Sequence, residues 1–113
     1  MSKDYKEITA EITSGMSKLR KSLPEVMEGF GKLSMGATKS GALSTKTKEL
    51  IALAIGVSKQ CDGCIGFHLK ALIKEGATRE EVEEALGMAV YMGGGPALMY
   101  AAEAIEGYDK LTQ

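Results

Sequence analysis

A chain of 113 residues, 44% hydrophobic and 26% charged, can fill one globular domain over residues 1–113 and is too short for two independent cores. Fourteen Lys and Arg against fifteen Asp and Glu give a net charge of −1, with no basic excess to neutralise phosphates, so no nucleic acid is expected as a partner. No uncharged run reaches the roughly 18 residues of a membrane span, and the segment Met1 to Glu7 has no apolar signal core, so the expectation is a cytoplasmic protein with no membrane partner.

In chain order, spacings of three and four among Tyr5, Ile8, Ile12, Met16 and Leu19 predict an amphipathic helix over residues 3–20. Pro24 suits the first turn of a second helix carried by Val26, Met27, Phe30, Leu33 and Met35, which Gly29 and Gly31 weaken. Residues 39–42 read as a loop. Ser44 or Thr45 caps a third helix over 45–58. Its body, Leu50 to Ile55, is apolar on every face, the pattern of a segment buried from several sides. A fourth helix runs from about residue 62 to 75 and stops at Gly76, a residue suited to the left-handed position after a helix end. Thr78 and Glu81 form a capping box for a fifth, with Val82, Leu86, Ala89 and Val90 on its apolar stripe. Gly93, Gly94 and Gly95 end that helix, and Pro96 opens a last one through Ala97, Leu98, Ala101, Ala104 and Ile105.

The expected fold is therefore all-α, with about six helices and no strand. The third helix has no polar face, and the short amphipathic helices of a small monomer would struggle to cover it, so burial in an oligomer is expected. The seven Met residues read as adaptable core filler.

The chemistry gathers in one place. Cys61 and Cys64, the only cysteines, and His68, the only histidine, fall within eight residues. On one helix the three side chains lie within roughly 60° of one another. Thiolate is the reactive form of cysteine, and a helix start favours it through free N–H groups and the macrodipole. The helix start favours Cys61 as the more acidic thiol. His68, four residues after Cys64 and leaning back over its turn, favours Cys64, the assignment preferred here, with Cys61 as the resolving partner. Gly63 and Gly66 beside Cys64 are expected to leave its sulfur accessible, with close helix packing as the other reading of Gly66. Glu49 opens the apolar third helix, where a carboxylate needs a partner. An antiparallel pairing of the third and fourth helices would bring it toward His68.

Glu49 followed by Cys61-x-x-Cys64-x-x-x-His68 resembles the E-x11-C-x-x-C-x-x-x-H signature of AhpD-like alkylhydroperoxidases, within the carboxymuconolactone decarboxylase superfamily. Flanking residues carry the likeness across roughly 20–110: Leu43-Ser44 and Leu50 to Ala54 before the motif, Gly76-Ala77-Thr78 and Gly94 to Ala97 after it. The resemblance implies a helical fold assembled as a homotrimer or homohexamer, and a redox-active cysteine pair served by a Glu49–His68 proton relay. It implies a thiol–disulfide oxidoreductase acting on disulfides or alkyl hydroperoxides and recharged by an external dithiol or redox protein. No bound cofactor is implied. Better-studied relatives carry a further His between the cysteines, where this chain has Gly63. Two alternatives stand beside this reading. One is a zinc site made from Cys61, Cys64, His68 and Glu49. The other is a lactone decarboxylase, although members with that activity generally lack the cysteine pair.

Overall fold

A computed structural model describes residues 3–113, which form five helices and, among the described residues, no strand. Local chemistry sets the helix ends. The Asp4 carboxylate accepts the Glu7 N–H at 3.2 Å to open α1 (Tyr5–Ser22), and Pro24 takes the first position of α2 (Pro24–Thr38). Ser44 caps α3 (Thr45–Ser58) through the Thr47 N–H. The Thr78–Glu81 capping box, with both reciprocal bonds formed, starts α5 (Arg79–Leu111).

The exits from α3 and from α4 (Asp62–Lys74) close in the same way. After α4, the Gly76 and Ala77 N–H groups donate to the Ile73 and Leu72 carbonyls, with Gly76 at φ 77°. After α3, the Gln60 and Cys61 N–H groups donate to the Val57 and Gly56 carbonyls, and Gln60 stands in the left-handed position at φ 57°. A residue with a Cβ therefore occupies, just before Cys61, a place that glycine fills more easily.

α3 and α4 form a short antiparallel hairpin, and α5 makes a second. Gly94 leaves helical geometry (φ 71°, ψ −154°), and the chain doubles back there. The guanidinium of Arg79 grips both carboxylate oxygens of Asp109 at 2.9 Å, thirty residues further on, a separation that a straight helix would stretch to about 45 Å. The expected end of one helix and start of another at 93–96 is thus borne out: α5 consists of two helical arms that meet at the non-helical Gly94, and the five elements hold about the six helical segments expected. Gly94 supplies the positive φ, and Pro96 falls in the first turn after it, where its missing N–H matters least.

The core lies where the two hairpins and α1 meet. Leu53 and Val57 of α3, Ile65, Leu69 and Leu72 of α4, and Val82, Leu86 and Ala104 of α5 are buried. Tyr5 joins them from α1, its ring lying between Gly66 and Gly107, where an added Cβ on either glycine would run into it. Two helices leave apolar residues uncovered within the protomer, as expected of the third helix in a small monomer. α3 buries only one side, Glu49, Leu53, Gly56 and Val57, while Ile51 and Ile55 are 47% and 51% exposed. α2, amphipathic in sequence, buries nothing: Val26, Phe30, Leu33 and Met35 all face outward. Periodicity marks an apolar stripe but does not say what meets it. An open apolar groove of about 1060 Å³ runs between α3 and the first half of α5, lined by Leu50, Ile51, Ala54, Ile55, Met88 and Met92. Among the described residues, no helix is long and apolar enough to cross a membrane.

Candidate active site at the start of the fourth helix

Cys61 ends one helix and begins the next. Its backbone N–H closes α3 on the Gly56 carbonyl at 3.0 Å, and its sulfur is the N-cap of α4, accepting the Cys64 N–H at 3.2 Å. Cys61 and Cys64 are joined by a disulfide, with their Cα atoms 5.3 Å apart. Both are half-buried. The pair sits over the free N–H groups of the first turn, where negative charge on sulfur is stabilised once the bond is reduced.

The antiparallel α3–α4 hairpin sets the second pair. Glu49, near the start of α3, and His68, in the second turn of α4, meet at 2.9 Å between Oε1 and Nδ1. Glu49 is only 7% exposed, so its carboxylate depends on this partner, whereas the imidazole remains partly open to solvent. With the carboxylate ionised, Nδ1–H donates to it, and Nε2 is left to take up or release a proton. Gly56 permits the close approach of the two helices: a Cβ there would lie 3.2 Å from the Cys64 Cβ.

Of the two readings of Gly66 the structure favours close helix packing, and Gly63 follows it. A Cβ on Gly66 would lie 2.8 Å from Thr9 Cγ2, and one on Gly63 would lie 2.5 Å from Ile12 Cδ1. Both glycines face α1 and let it seat against α4, so helix packing, rather than access to the sulfur, accounts for them. The zinc alternative gains nothing from this geometry. The two sulfurs are bonded to each other, and among the described residues no three His, Cys, Asp or Glu side chains converge on a common point.

One set of neighbours was not foreseen. Asp62, between the cysteines, meets the Lys3 ammonium at 2.6 Å, and the same ammonium reaches Glu103 of α5 at 3.1 Å and lies 4.5 Å above the Tyr100 ring. Partial burial alone would lower the pKa of Lys3, but its hydrogen bonds to Asp62 and Glu103 outweigh that and push it up to about 12. Burial pushes the Tyr5 hydroxyl up to about 12 as well, and among the described residues that hydroxyl has no hydrogen-bond partner. A carboxylate inside a C-x-x-C segment is a sequence signal that a cation should be near. Nothing in the spacing of the chain points to Lys3, 59 residues away.

Comparison with known proteins gives this arrangement a family. Residues 24–107, about three quarters of the chain, match the carboxymuconolactone decarboxylase family. The chain belongs to that family. A carboxymuconolactone decarboxylase family protein of Legionella pneumophila, solved in its apo form, is 59% identical and superposes with a TM-score of 0.94 over 96% of this chain and 97% of that one. A family member from Thermotoga maritima with a suggested part in the antioxidative response is 29% identical, with a TM-score of 0.82 over 92% and 89% of the two chains. An uncharacterised protein of Cupriavidus necator is 39% identical over 112 residues, 99% of each chain. Within this carboxymuconolactone decarboxylase fold, the all-helical architecture and a cysteine pair at bonding distance are established features of the chain.

Proposed function

We propose that this carboxymuconolactone decarboxylase family member is a thiol–disulfide oxidoreductase, with Cys61 and Cys64 as its redox pair and Glu49 and His68 as its proton relay. One observation carries the reading: a bonded cysteine pair caps a helix whose second turn holds an imidazole clasped by a buried carboxylate. Reactive pairs sit where a thiolate is stabilised and a base is near; the N-cap position of Cys61, and His68 one turn after Cys64 on the same helix, support this reading.

In the reduced enzyme, His68, held by Glu49, takes the proton of the attacking thiol, assigned to Cys64. The thiolate attacks one sulfur of a substrate disulfide, forming a mixed disulfide and releasing the other sulfur as a thiolate, which the relay protonates. The Cys61 thiol, on losing its own proton, then attacks Cys64 Sγ. This closes the Cys61–Cys64 bond and expels the second substrate thiol. Two electrons and two protons have passed to the substrate, and an external dithiol or redox protein returns them. With an alkyl hydroperoxide, the thiolate takes the outer oxygen to become a sulfenic acid and the alcohol departs. Condensation with Cys61 then releases water and forms the same disulfide. The suggested antioxidative part of the Thermotoga relative is in keeping with this second branch. The cycle belongs in the cytoplasm, where dithiol donors are abundant.

The same reading assigns the outward apolar residues of α2 and the α3–α5 groove to contacts between copies, in a homotrimer or homohexamer. A protein that sediments as a monomer at micromolar concentration would remove that part. For the chemistry, wild type should reduce insulin disulfides with a dithiol donor and show two cysteines that label only after reduction. Equal reduction rates for wild type and Cys64→Ser would refute the exchange mechanism.

A further inference from the structure

Asp62 poses a problem for the chemistry just described. It is the residue immediately after Cys61, and it places a carboxylate beside sulfurs that must carry negative charge once reduced. At the first position of α4 that carboxylate suits the helix dipole, so helix stability and sulfur chemistry pull in opposite directions. Among the described residues, one cation meets that carboxylate. Lys3, just ahead of α1, reaches across to Asp62 at 2.6 Å, and the same ammonium touches Glu103 of α5 at 3.1 Å and the face of Tyr100.

We propose that Lys3 is a positioning residue for the cysteine pair, acting through Asp62: it pins the Asp62 carboxylate and offsets part of its charge, so that the neighbouring sulfurs carry theirs at lower cost. The inference deepens the redox reading and rests on it for its purpose, but what it requires is a property of the reduced thiols alone.

The surrounding groups fit this role. Lys3 keeps its charge throughout the range in which thiols ionise, because its two carboxylate partners raise its pKa to about 12. The Tyr5 hydroxyl of α1 is held neutral over that range by burial. Glu103 of α5 shares the ammonium and supplies a second negative charge that Lys3 must offset. Glu49 of α3 is engaged with His68, and among the described residues the ammonium of Lys3 is the counter-charge that touches the segment between the cysteines. The contact is part-exposed, so its effect is moderate and screened by salt. It also ties the segment just ahead of α1 to the redox helix.

The test is the pH profile of iodoacetamide alkylation of the fully reduced protein, followed for Lys3→Met, Lys3→Arg, Asp62→Asn and the double variant Lys3→Met/Asp62→Asn. Lys3→Met should raise the midpoint by about half a pH unit, which is about a threefold loss of thiolate at neutral pH. Lys3→Arg should restore the wild-type midpoint, and Asp62→Asn should lower it. In the Asp62→Asn background the effect of Lys3→Met should shrink to less than half, and in 1 M salt all the shifts should contract. A helix-docking role alone would change melting temperature and leave these midpoints in place. An unmoved midpoint in Lys3→Met overturns the proposal, as does a Lys3→Met shift of undiminished size in the Asp62→Asn background. If Lys3→Met fails to fold, the Asp62→Asn midpoint decides: a fall supports the proposal and no change ends it. Failure of the redox reading would look different, as absent insulin reduction with these shifts intact.

Discussion

The seam between α1 and α4 and the outer side of α2 carry the same kind of apolar helical pattern and come to opposite ends. Tyr5 is 1% exposed; Phe30 is 64% exposed. The difference lies in the opposing surface. Gly66 and Gly107 leave a slot that a phenol ring fills, and Gly63 leaves room for Ile12, so α1 comes close enough to hold the start of α4 in place. Among the described residues nothing offers α2 a comparable recess, and it buries no residue. One region is finished inside the protomer and the other is not, and the finished one is the one behind the cysteines.

Substitutions on the two sides should separate accordingly. Leu69→Ala removes a fully buried side chain of α4 and should cost about 2–5 kcal/mol in a denaturant titration. A cost under 1 kcal/mol would mean that the core behind the site is loose. Gly107→Ala puts a methyl into the Tyr5 ring and should cost about 1–3 kcal/mol, with α1 protected less against hydrogen exchange. Tyr5→Phe should instead stabilise by about 1 kcal/mol, since the buried hydroxyl it removes has no partner among the described residues. A clear loss of stability would reveal an ordered water bound to that oxygen. Phe30→Ser should change the isolated protomer by no more than about 0.5 kcal/mol while weakening self-association measured by sedimentation. A large loss in the protomer would erase the contrast between the regions.

The smallest effect lies in the clasp that holds the α5 hairpin. The Arg79 guanidinium holds Asp109 below the ordinary carboxylate value, and the Thr78 backbone N–H, with Lys46, does the same for Glu81. A lowered folded value means that the contribution is complete above the unfolded pKa near 4 and disappears as pH falls through the folded one. Both groups are exposed, so Asp109→Asn should only shallow the acid limb of the stability curve, and a change at neutral pH larger than that limb would contradict this account.

What the sequence made legible was whatever short-range chemistry decides. Asp4 was not singled out, but Pro24, Ser44, Gly76 and the Thr78–Glu81 box marked helix ends that the structure bears out, because a cap needs only residues three or four apart. The approach of Glu49 to His68 was legible for a related reason, since a tight hairpin maps sequence distance onto contact. Features that depend on a third element were hidden. Which side of α3 would be covered, that Gly63 and Gly66 face α1, that Arg79 meets Asp109, and that Lys3 meets Asp62 all require knowing how distant segments dock. The glycines show the ambiguity plainly: a missing side chain beside a sulfur reads the same whether solvent or a neighbouring helix takes the space.

Cys61 serves as latch for two neighbouring helices at once, through its amide on one side and its sulfur on the other. A covalent event at that atom is therefore felt by the backbone on both sides of it. Deuterium uptake at the Cys64 amide, slow in the bonded pair where the Cys61 sulfur caps it and altered once that bond is reduced, would then record the oxidation cycle without any substrate being followed.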